Sequence, residues 1–472
     1  MAKFNKKLGI LINKRRFTLD DQLQFAMFSA DSNPIHIDPV IARRTIAGEC
    51  IVHGVHSLMY AINSLLKHNR LTIISFQVSF SKPILLGIEV CCFWDVENNK
   101  LSIASENTIY VSIFLTLGSI LRTDNISNIN LGEPLIVPTN MTLNECSEFT
   151  REDLVYRGNI KIGENLFPDL FEIYGFVFAA ELALISEIVG MQIPGLNSLL
   201  LSLNSCISEK NTKCYYELIS CNLRFRIMKI LINGKYLKSE IDVFYRPSST
   251  NSPSMSQISK KIKGNEFTNV NALIIGGSRG LGEITAKIIT CGGGRVTITY
   301  NLGEADAKKL RNEILEYGKS CNIFKLKIED QFYIPEENFN QIYYFPSPKI
   351  KAEDFNISNT NLTQLYELFY VDFFRNLLTQ VLEKDMQSSI FYPSTTYLSN
   401  APKNFTTYVE SKLKGELLCK EFIETKSMRI IYPRLPRLAT DQTLGLINEK
   451  FQDSVDTLYP LILSMVNRIK FC

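Results

Sequence analysis

The chain has 472 residues, of which 45% are hydrophobic and 21% are charged, with a formal net charge of +3. This length exceeds what one hydrophobic core normally supports, so we expect two or three domains. The charge is nearly balanced and contains no long basic block, which argues against nucleic acid as a partner.

Cysteine usage and hydropathy limit the class of protein further. The eleven cysteines form no CxxC motif and no Cys/His cluster, so we expect neither a metal site nor a disulfide framework, and we expect a cytoplasmic protein with reduced thiols. Residues 171–190 are long and apolar, but Glu172, Glu181 and Glu187 interrupt them. We therefore expect a buried helix here and no membrane span.

The N-terminal half shows one pattern twice. Apolar periodicity predicts helices over 17–30 and 53–67, then strands over 71–81, 88–95, 101–104 and 110–117. A second set follows, with a helix over 170–189 and strands over 198–207, 215–227 and 236–244. A buried helix followed by antiparallel strands, twice, predicts two helix-wrapping sheets packed together.

The C-terminal half follows a different period. Residues 247–264 are rich in Pro, Ser, Asn and Lys, which is typical of a flexible linker. Beyond it, strands are predicted over 270–275 and 295–300, and helices over 280–290 and 304–317. Alternation of strand and helix indicates a parallel sheet with helices on both faces.

A carboxylate and an imidazole stand five residues apart in the first half. Asp31 and His36 flank Pro34, and Gly54 follows just ahead of the apolar helix. A carboxylate can orient or deprotonate water, and an imidazole can exchange a proton at an α-carbon or with a leaving hydroxyl. Free backbone N–H groups near Gly54 would polarise a thioester carbonyl. The alternative is that Asp31 and His36 only cap and tether a loop.

The motifs of this region resemble those of a known family. Residues 31–38 read DSNPIHID, 51–54 read IVHG, and 80–84 read FSKPI ahead of Gly87. In that order they resemble the MaoC-like (R)-specific enoyl thioester hydratases and dehydratases of the hotdog fold, over about the first 120 residues. The resemblance implies that Asp31 and His36 form the catalytic dyad, and that Asn33 and Gly54 shape the substrate site.

The second repeat lacks this machinery. All four histidines of the chain lie between His36 and His68, so the second repeat cannot hold the same dyad. It resembles the degenerate half of a double hotdog, in which one half supplies catalysis and the other supplies shape.

A glycine-rich loop lies between a predicted strand and a predicted helix in the second half. This is the context that a dinucleotide-binding loop requires. The strand that ends at Asn301 carries no acid at its tip, and Arg279 can pair with a 2′-phosphate, so we expect NADPH rather than NADH. The predicted cofactor-binding residues of this loop are Gly276, Ser278, Arg279, Gly280, Leu281 and Gly282.

Tyr408 and Lys412 are spaced i, i+4 on a predicted helix, so they share one face. An ammonium beside a phenol lowers the pKa of the phenol, which can then exchange a proton with a carbonyl or hydroxyl. Ser394 and Thr395 end an apolar strand upstream, and either hydroxyl can hold the substrate oxygen.

Together these features resemble the short-chain dehydrogenase/reductase family, over roughly residues 265–443. The resemblance gives Tyr408 and Lys412 a role in cofactor binding as well. Three departures put turnover in doubt: residues 345–348 read FPSP where the family has Asn-Asn-Ala-Gly, Asp372 stands where an asparagine is common, and Arg434 replaces the glycine after Pro433. Little chain remains to cover a substrate.

These observations predict an α+β double hotdog followed by an α/β Rossmann-type, doubly wound parallel sheet. The expected domains are 1–130 (catalytic hotdog), 131–246 (degenerate hotdog), 247–264 (linker) and 265–472 (reductase). The predicted function is a bifunctional (R)-3-hydroxyacyl dehydratase or enoyl hydratase with NADPH-dependent 3-oxoacyl reductase activity. Its substrate would be an acyl-CoA or acyl carrier protein thioester, and both resemblances imply a homodimer.

Three alternatives stay open. The second half can be an NADP-binding module without turnover. The whole chain can be a non-catalytic protein that binds an acyl carrier. Residues 408–416 also look like nucleotide-sugar epimerases and dehydratases, although the short C-terminus argues against a sugar-nucleotide domain.

Overall fold

The computed structural model describes residues 8–45, 47–105, 107–119, 130–207, 211, 213–246, 252–330, 332–350, 360–440 and 451–466. The chain forms two compact units, Met1–Ser248 and Ser249–Cys472.

The described part of the first unit is built on one antiparallel sheet. Its strands are β1 (Ile10–Arg16), β2 (Ile73–Phe80), β3 (Glu89–Asp95), β4 (Lys100–Ser105), β5 (Thr108–Leu117), β6 (Arg151–Asp153), β7 (Ser198–Ile207), β8 (Tyr215–Asn222), β9 (Ile227–Asn233) and β10 (Leu237–Tyr245). The spatial order is β1-β3-β4-β5-β2-β7-β10-β9-β8-β6.

This order contains the same topology twice. Strands β1-β3-β4-β5-β2 repeat as β6-β8-β9-β10-β7 when the sheet is read from its opposite edge. The two sets meet where β2 pairs with β7 in antiparallel register, with Phe76 opposite Ser205. The predicted repeat of helix and antiparallel strands is therefore present, but the expectation of two separate packed sheets is wrong because this pairing makes a single sheet.

Helix Gly54–His68 of the first unit lies against strands of this sheet, and several of the other described helices pack against one another. The described helices are α1 (Leu19–Ser29), α2 (Pro34–Ile37), α3 (Pro39–Ala42), α4 (Gly54–His68), α5 (Leu143–Glu148), α6 (Ile160–Leu166) and α7 (Pro168–Glu187). The helices α4 and α7 are the central ones, and nearly all their apolar side chains are buried in a common core.

Helix α7 differs from α4 in two ways. Gly175 takes φ 76°, which interrupts the helical geometry near its beginning, and the helix ends in a π-helical turn, Ile188–Gln192. Among the described residues, Pro168–Gln192 is long and apolar enough to cross a membrane, but most of it is buried inside the unit. Glu181 is buried too. Its carboxylate accepts hydrogen bonds from backbone N–H groups, including that of Leu237, and these offset the cost of burying it.

The second unit contains a parallel sheet. Its strands are β11 (Asn271–Ile275), β12 (Arg295–Tyr300), β13 (Cys321–Lys325), β14 (Gln341–Tyr344), β15 (Ser389–Phe391), β16 (Ser394–Thr395), β17 (Arg429–Ile431) and β18 (Arg434–Leu435). Its helices are α8 (Met255–Ser259), α9 (Gly280–Cys291), α10 (Glu304–Glu316), α11 (Thr360–Glu367), α12 (Phe373–Glu383), α13 (Thr406–Lys426) and α14 (Ser454–Val466).

The six main strands have the order β13-β12-β11-β14-β15-β17, and β16 pairs separately with β18. Side chains alternate along β11 between two cores: Ile274 lies in the core that includes α9, and Leu273 and Ile275 lie in the core that includes α12. The predicted parallel sheet with helices on both faces is confirmed. The order reverses between β11 and β14, and such a switch point is where open α/β sheets bind ligands.

Two predictions along the chain are wrong. Residues 215–227 form no single strand, because a turn separates β8 from β9 and Arg226 there takes φ 56°. The linker prediction fails over its described part, where α8 begins with a Ser254–Gln257 capping box and buries Met255 and Ile258 in the core of the second unit. Residues 247–251 lie outside the described residues.

Candidate active sites

A short loop positions Asp31 and His36. Helix α1 ends at Ser29, and Ala30 adopts a left-handed conformation (φ 61°) that turns the chain. Asn33 then caps α2, since its Oδ1 accepts a hydrogen bond from the N–H of Ile35 over 3.2 Å. Pro34 occupies the first turn, where its missing N–H costs nothing. The sequence thus places Asp31 just before a one-turn helix that carries His36.

The Asp31 carboxylate is buried, with only 2% of the residue exposed. Its Oδ2 accepts from the hydroxyl of Ser186 over 2.7 Å, and its Oδ1 accepts from the N–H of Asn33 over 3.1 Å. Burial raises the pKa of Asp31 to about 7, and these two hydrogen bonds oppose the rise. At neutral pH the group is therefore present in both protonation states.

His36 lies beside this carboxylate as a neutral base. Its Nδ1 is 2.8 Å from the carbonyl oxygen of Ile51, and because a carbonyl only accepts, Nδ1 carries the proton. Burial lowers the pKa of His36 to about 4, although this hydrogen bond raises it. The imidazole therefore presents an unprotonated Nε2, and the structure brings together the predicted pair.

His53, which sequence analysis did not assign to the site, stacks on His36 with ring centroids 3.8 Å apart. Its ring nitrogens lie 2.9 Å from Gln22 Oε1 and 3.0 Å from the carbonyl oxygen of Asp31. Asp31, His36 and His53 each present one potential ligand atom, all within 4.8 Å of one another. Both of these oxygens are acceptors and a neutral imidazole carries one N–H, so His53 can donate to only one of them at a time.

Asn33, which the resemblance gives a part in shaping the substrate site, is bonded to backbone groups around its loop. Its side chain is fully buried, and its Nδ2 donates to the carbonyl oxygens of Gly190 and Gly195 over 2.9 and 3.1 Å. With Oδ1 engaged by Ile35, the amide is committed to backbone groups. Asn33 thus fixes the loop that carries the candidate site, and its predicted part in substrate binding stays a prediction.

Gly54 is the first residue of α4, and no side chain caps this helix beginning. A Cβ at Gly54 would lie 3.3 Å from Phe80 Cε1 and 3.5 Å from Leu200 Cδ2. The glycine thus allows the close approach of β2 and β7 side chains to a helix N-terminus beside His53.

The second repeat completes the first site with small groups. Ser186 lies on α7, and Gly190 lies in the π-helical turn that follows. A Cβ at Gly190 would lie 2.1 Å from Asp31 Oδ1, so only glycine leaves room for the carboxylate. Sequence analysis missed these contributions because a serine and a glycine in an apolar helix carry no distinctive signal.

The glycine-rich loop of the second unit joins β11 to α9 as predicted. Gly276 and Gly280 have φ of 74° and 58°, a region that glycine adopts without strain. A Cβ at Gly282 would lie 2.4 Å from the carbonyl oxygen of Gly276, so the third glycine allows the helix to pack on the loop. The N–H of Gly276 donates to Thr299 Oγ1 over 3.0 Å.

The side chains around this loop fit a dinucleotide. Asn301, just beyond β12, has a buried Oδ1 without a hydrogen-bond partner among the described groups. An orphaned acceptor at this strand end suits a ribose hydroxyl, which can donate to it. Ser278 is buried and Arg279 is the N-cap residue of α9. The side chain of Leu281 packs against the core, so only its backbone can contact the cofactor.

The hydroxyls of Thr395 and Ser394, both predicted to hold the substrate oxygen, have different hydrogen-bond partners. The Tyr408 hydroxyl hydrogen-bonds with the Thr395 side chain, although burial raises the pKa of Tyr408 to about 12. Ser394 donates instead to Glu416 Oε1 over 2.5 Å. The hydroxyl of Ser394 is therefore engaged by Glu416 here, and its predicted catalytic role stays a prediction.

Lys412 points away from the role predicted for it. Its Nζ donates to the carbonyl oxygen of Pro393 over 2.8 Å and lies 4.1 Å from the ring centroid of Tyr370. Burial lowers the pKa of Lys412 to about 7. In this arrangement the predicted activation of Tyr408 is not made, because the ammonium is buried, partly neutralised and engaged by a carbonyl.

Two departures from the reductase pattern have a structural account. Asp372 is the last residue of a π-helical turn, Leu368–Asp372. The carbonyl oxygens of Phe369 and Tyr370 in this turn accept hydrogen bonds from two tyrosine hydroxyls, one on β14 and one just after β15. Ser347, in the altered FPSP segment, hydrogen-bonds with the Tyr370 hydroxyl over 2.6 Å.

Arg434 explains the third departure. It forms a two-pronged ion pair with Glu416, with Nε and Nη2 each 2.8 Å from a carboxylate oxygen. Glu416 lies one helical turn beyond Lys412 on α13 and also accepts from Ser394. The arginine thus provides the partner that a buried glutamate requires.

Comparison with known proteins agrees with these geometries in part. Residues 9–111 match the family model described as "MaoC like domain", so the first half of the sheet with α4 is a MaoC-like domain. No curated protein matches the chain.

Solved structures similar to this chain are short-chain dehydrogenases and related oxidoreductases. An oxidoreductase, yciK, from Escherichia coli is 15% identical, covers 43% of this chain and 91% of its own, and gives a TM-score of 0.39. A putative short chain dehydrogenase from Escherichia coli CFT073 complexed with NADPH is 16% identical, with coverages of 43% and 93% and a TM-score of 0.38. FolM alternative dihydrofolate reductase 1 from Brucella canis, complexed with NADP, is 14% identical, with coverages of 35% and 72% and a TM-score of 0.32.

Proposed function

We propose that the first unit is a double hotdog that hydrates trans-2-enoyl thioesters to (R)-3-hydroxyacyl thioesters, or catalyses the reverse dehydration. The observation that carries this proposal is the pairing of the buried Asp31 with the half-buried His36, whose pKa values are shifted in opposite directions to about 7 and about 4. Environments that shift the pKa values of two neighbouring groups in opposite directions are typical of an acid and a base in one site.

The protonation states favour one division of labour during hydration. His36 Nε2, unprotonated, accepts a proton from water as the hydroxyl adds to C3 of the acyl chain. Asp31, in its protonated form, gives a proton to C2 as enolate character at the thioester is lost. The free N–H groups at the beginning of α4, beside Gly54, stabilise the carbonyl oxygen. A proton then returns from His36 to Asp31 through solvent, which restores both groups.

We further propose that the second unit binds NADP(H) and reduces a 3-oxoacyl thioester. The glycine-rich loop, the orphaned Asn301 oxygen and the Thr395–Tyr408 hydrogen bond support this. Bound NADPH supplies a hydride, and Tyr408 supplies a proton to the substrate oxygen. Both sites then act at the β-carbon of one acyl chain, which explains why a single polypeptide carries them.

The second candidate function is an NADP-binding unit without turnover. The position of Lys412 favours it, because the amine is committed to Pro393 and the pKa of Tyr408 is raised. NADPH binding without oxidation on any 3-oxoacyl thioester would establish this candidate, and oxidation with product formation would exclude it.

One experiment tests the whole proposal. Purified protein is incubated with enoyl and 3-oxoacyl thioesters of several chain lengths on coenzyme A and on acyl carrier protein, with and without NADPH, and products are read by mass. We expect a gain of one water on enoyl substrates and a gain of two hydrogens on 3-oxo substrates. No mass change on either carrier would contradict the proposal. A homodimer in the cytoplasm remains part of this proposal.

A further inference from the structure

Arg246 follows β10 and is a buried arginine beside the first site. Only 5% of it is exposed. Its Nε donates to the carbonyl oxygen of Ser198 over 2.8 Å, and its Nη2 donates to that of Leu196 over 2.5 Å. Its backbone N–H donates to the carbonyl oxygen of Asn197 over 2.7 Å. Three successive carbonyl groups of one loop are therefore held by a single residue.

This loop reaches the catalytic residues through one further contact. Gly195, which immediately precedes the clamped residues, accepts from Asn33 Nδ2 over 3.1 Å. Asn33 in turn caps the one-turn helix that carries His36. A shift of the 195–198 loop would therefore move the helix cap and, with it, the imidazole.

The charge of Arg246 lacks a compensating carboxylate. Among the residues that the structure describes, its hydrogen bonds go to backbone carbonyls and it forms no ion pair. Burial lowers the pKa of Arg246 to about 10, so the guanidinium stays charged at neutral pH. A buried and unpaired charge is costly, and its retention requires an explanation.

The electrostatic field of this charge reaches His36. Burial is the main cause that lowers the pKa of His36, and the positive charge of Arg246 lowers it further. Three other titratable groups surround the imidazole. A carboxylate oxygen of Asp31 lies within 4.8 Å of a ring nitrogen of His36, His53 stacks on the ring, and His56 lies further along α4. His53 and His56 are held neutral by burial, so Arg246 is the fixed positive charge in this set.

We propose that Arg246 is a positioning residue of the hydro-lyase site, which clamps the 195–198 loop and, through the Asn33 cap, holds the helix that carries His36. This inference rests on the proposed function of the first unit. The charge of Arg246 adds an electrostatic effect on His36, which the test measures separately from the clamp.

Two variants separate the tasks in the full-length protein. In R246Q the amide can still donate to the loop but the charge is lost, and in R246K the charge stays but the two-pronged clamp is lost. The control is K238M, which removes a positive charge from an exposed residue of β10. The readout is the NMR titration of the four histidine imidazoles, which needs no substrate.

In R246Q we expect the titration midpoint of His36 to rise by about one pH unit, a tenfold change in protonated fraction. We expect R246K and K238M to leave it unchanged, and R246K to lower kcat about tenfold with little change in KM. A His36 midpoint in R246Q equal to that of the wild type would overturn the electrostatic role, and wild-type kcat in R246K would overturn the clamp. Absence of hydration by the wild type, with the NMR shift still present, would contradict the proposed function but leave the electrostatic inference intact.

Discussion

The hydroxyl of Ser186 donates to the carboxylate of Asp31 over 2.7 Å, although 155 residues separate them in sequence. Ser186 belongs to the repeat that lacks histidine, and Asp31 belongs to the repeat that carries both catalytic candidates. The second repeat therefore lowers the pKa of Asp31 against the larger effect of burial, even though it holds no catalytic pair of its own.

Replacing Ser186 by alanine tests this relationship. The hydrogen bond lowers the pKa of Asp31 against the effect of burial, so its loss raises that pKa above about 7. Hydration that needs protonated Asp31 falls as pH rises through this pKa, so we expect the falling limb of the pH–rate profile to move to higher pH in S186A. The matched control is S464A, a buried serine of the second unit.

The direction of the limb also tests the assignment of roles. If Asp31 instead acts as the base during hydration, activity would increase with pH through about 7, and S186A would move this rising limb. A profile of hydration rate against pH, measured from pH 5 to 9 (roughly spanning the titration of a group near 7), distinguishes the two assignments.

Replacing Gly190 by alanine should remove activity by steric collision. The added Cβ would lie 2.1 Å from Asp31 Oδ1, so the carboxylate must leave its position. We expect hydration to fall at least about 100-fold, and the free energy of unfolding to fall by about 1–3 kcal/mol from overpacking. G264A is the control, since a Cβ at that position meets nothing within 4 Å. Hydration by G190A near the wild-type rate would show that Asp31 does not act where the structure holds it.

The two hydroxyls of β16, Ser394 and Thr395, should respond differently to removal. Thr395 bonds with Tyr408, so T395A should lower 3-oxoacyl reduction by about 100-fold, within the range typical of a lost acid–base contact. Ser394 bonds with Glu416, so S394A should keep activity but lower the free energy of unfolding by about 1–3 kcal/mol. NADPH oxidation and urea unfolding measure the two effects. The reverse pattern would mean that Ser394 is the catalytic hydroxyl.

A carboxylate at residue 301 should change the preference for the cofactor. In N301D an acid stands at the end of β12, where it can bind a ribose 2′-hydroxyl and repel a 2′-phosphate. We expect NADPH binding to weaken about tenfold or more relative to NADH, measured by fluorescence titration without turnover. N322D, an exposed substitution on β13, controls for the charge change. An unchanged ratio of the two affinities would contradict this placement of the cofactor.

Sequence reasoning recovered what depends on local pattern. The Asp31-to-His36 spacing, the Pro34 in the loop and the glycines at 276–282 are local features that fix their own backbone geometry, and the structure contains all of them. Strand and helix periods likewise placed the two central helices and most strands of the first unit, and the first two strands and the helices after them in the parallel sheet, within a few residues.

What sequence reasoning missed depends on contacts between distant residues. Ser186 and Gly190 matter because α7 packs beside the Asp31 loop, and no local pattern reports that contact. The misassigned linker had a local signal, the Ser254–Gln257 capping box, but its polar composition outweighed it. The direction of Lys412 could not be read from its spacing to Tyr408, because tyrosine rings on other elements determine it.

The most direct test of the account is hydration of crotonyl-CoA by the wild type, D31N, H36A and the control H68A, in which an exposed histidine is replaced. We expect the wild type and H68A to form (R)-3-hydroxybutyryl-CoA, and D31N and H36A to be slower by about 100-fold or more while remaining folded. Wild-type rates in D31N and H36A would contradict the claim that Asp31 and His36 act as the acid and base of the site.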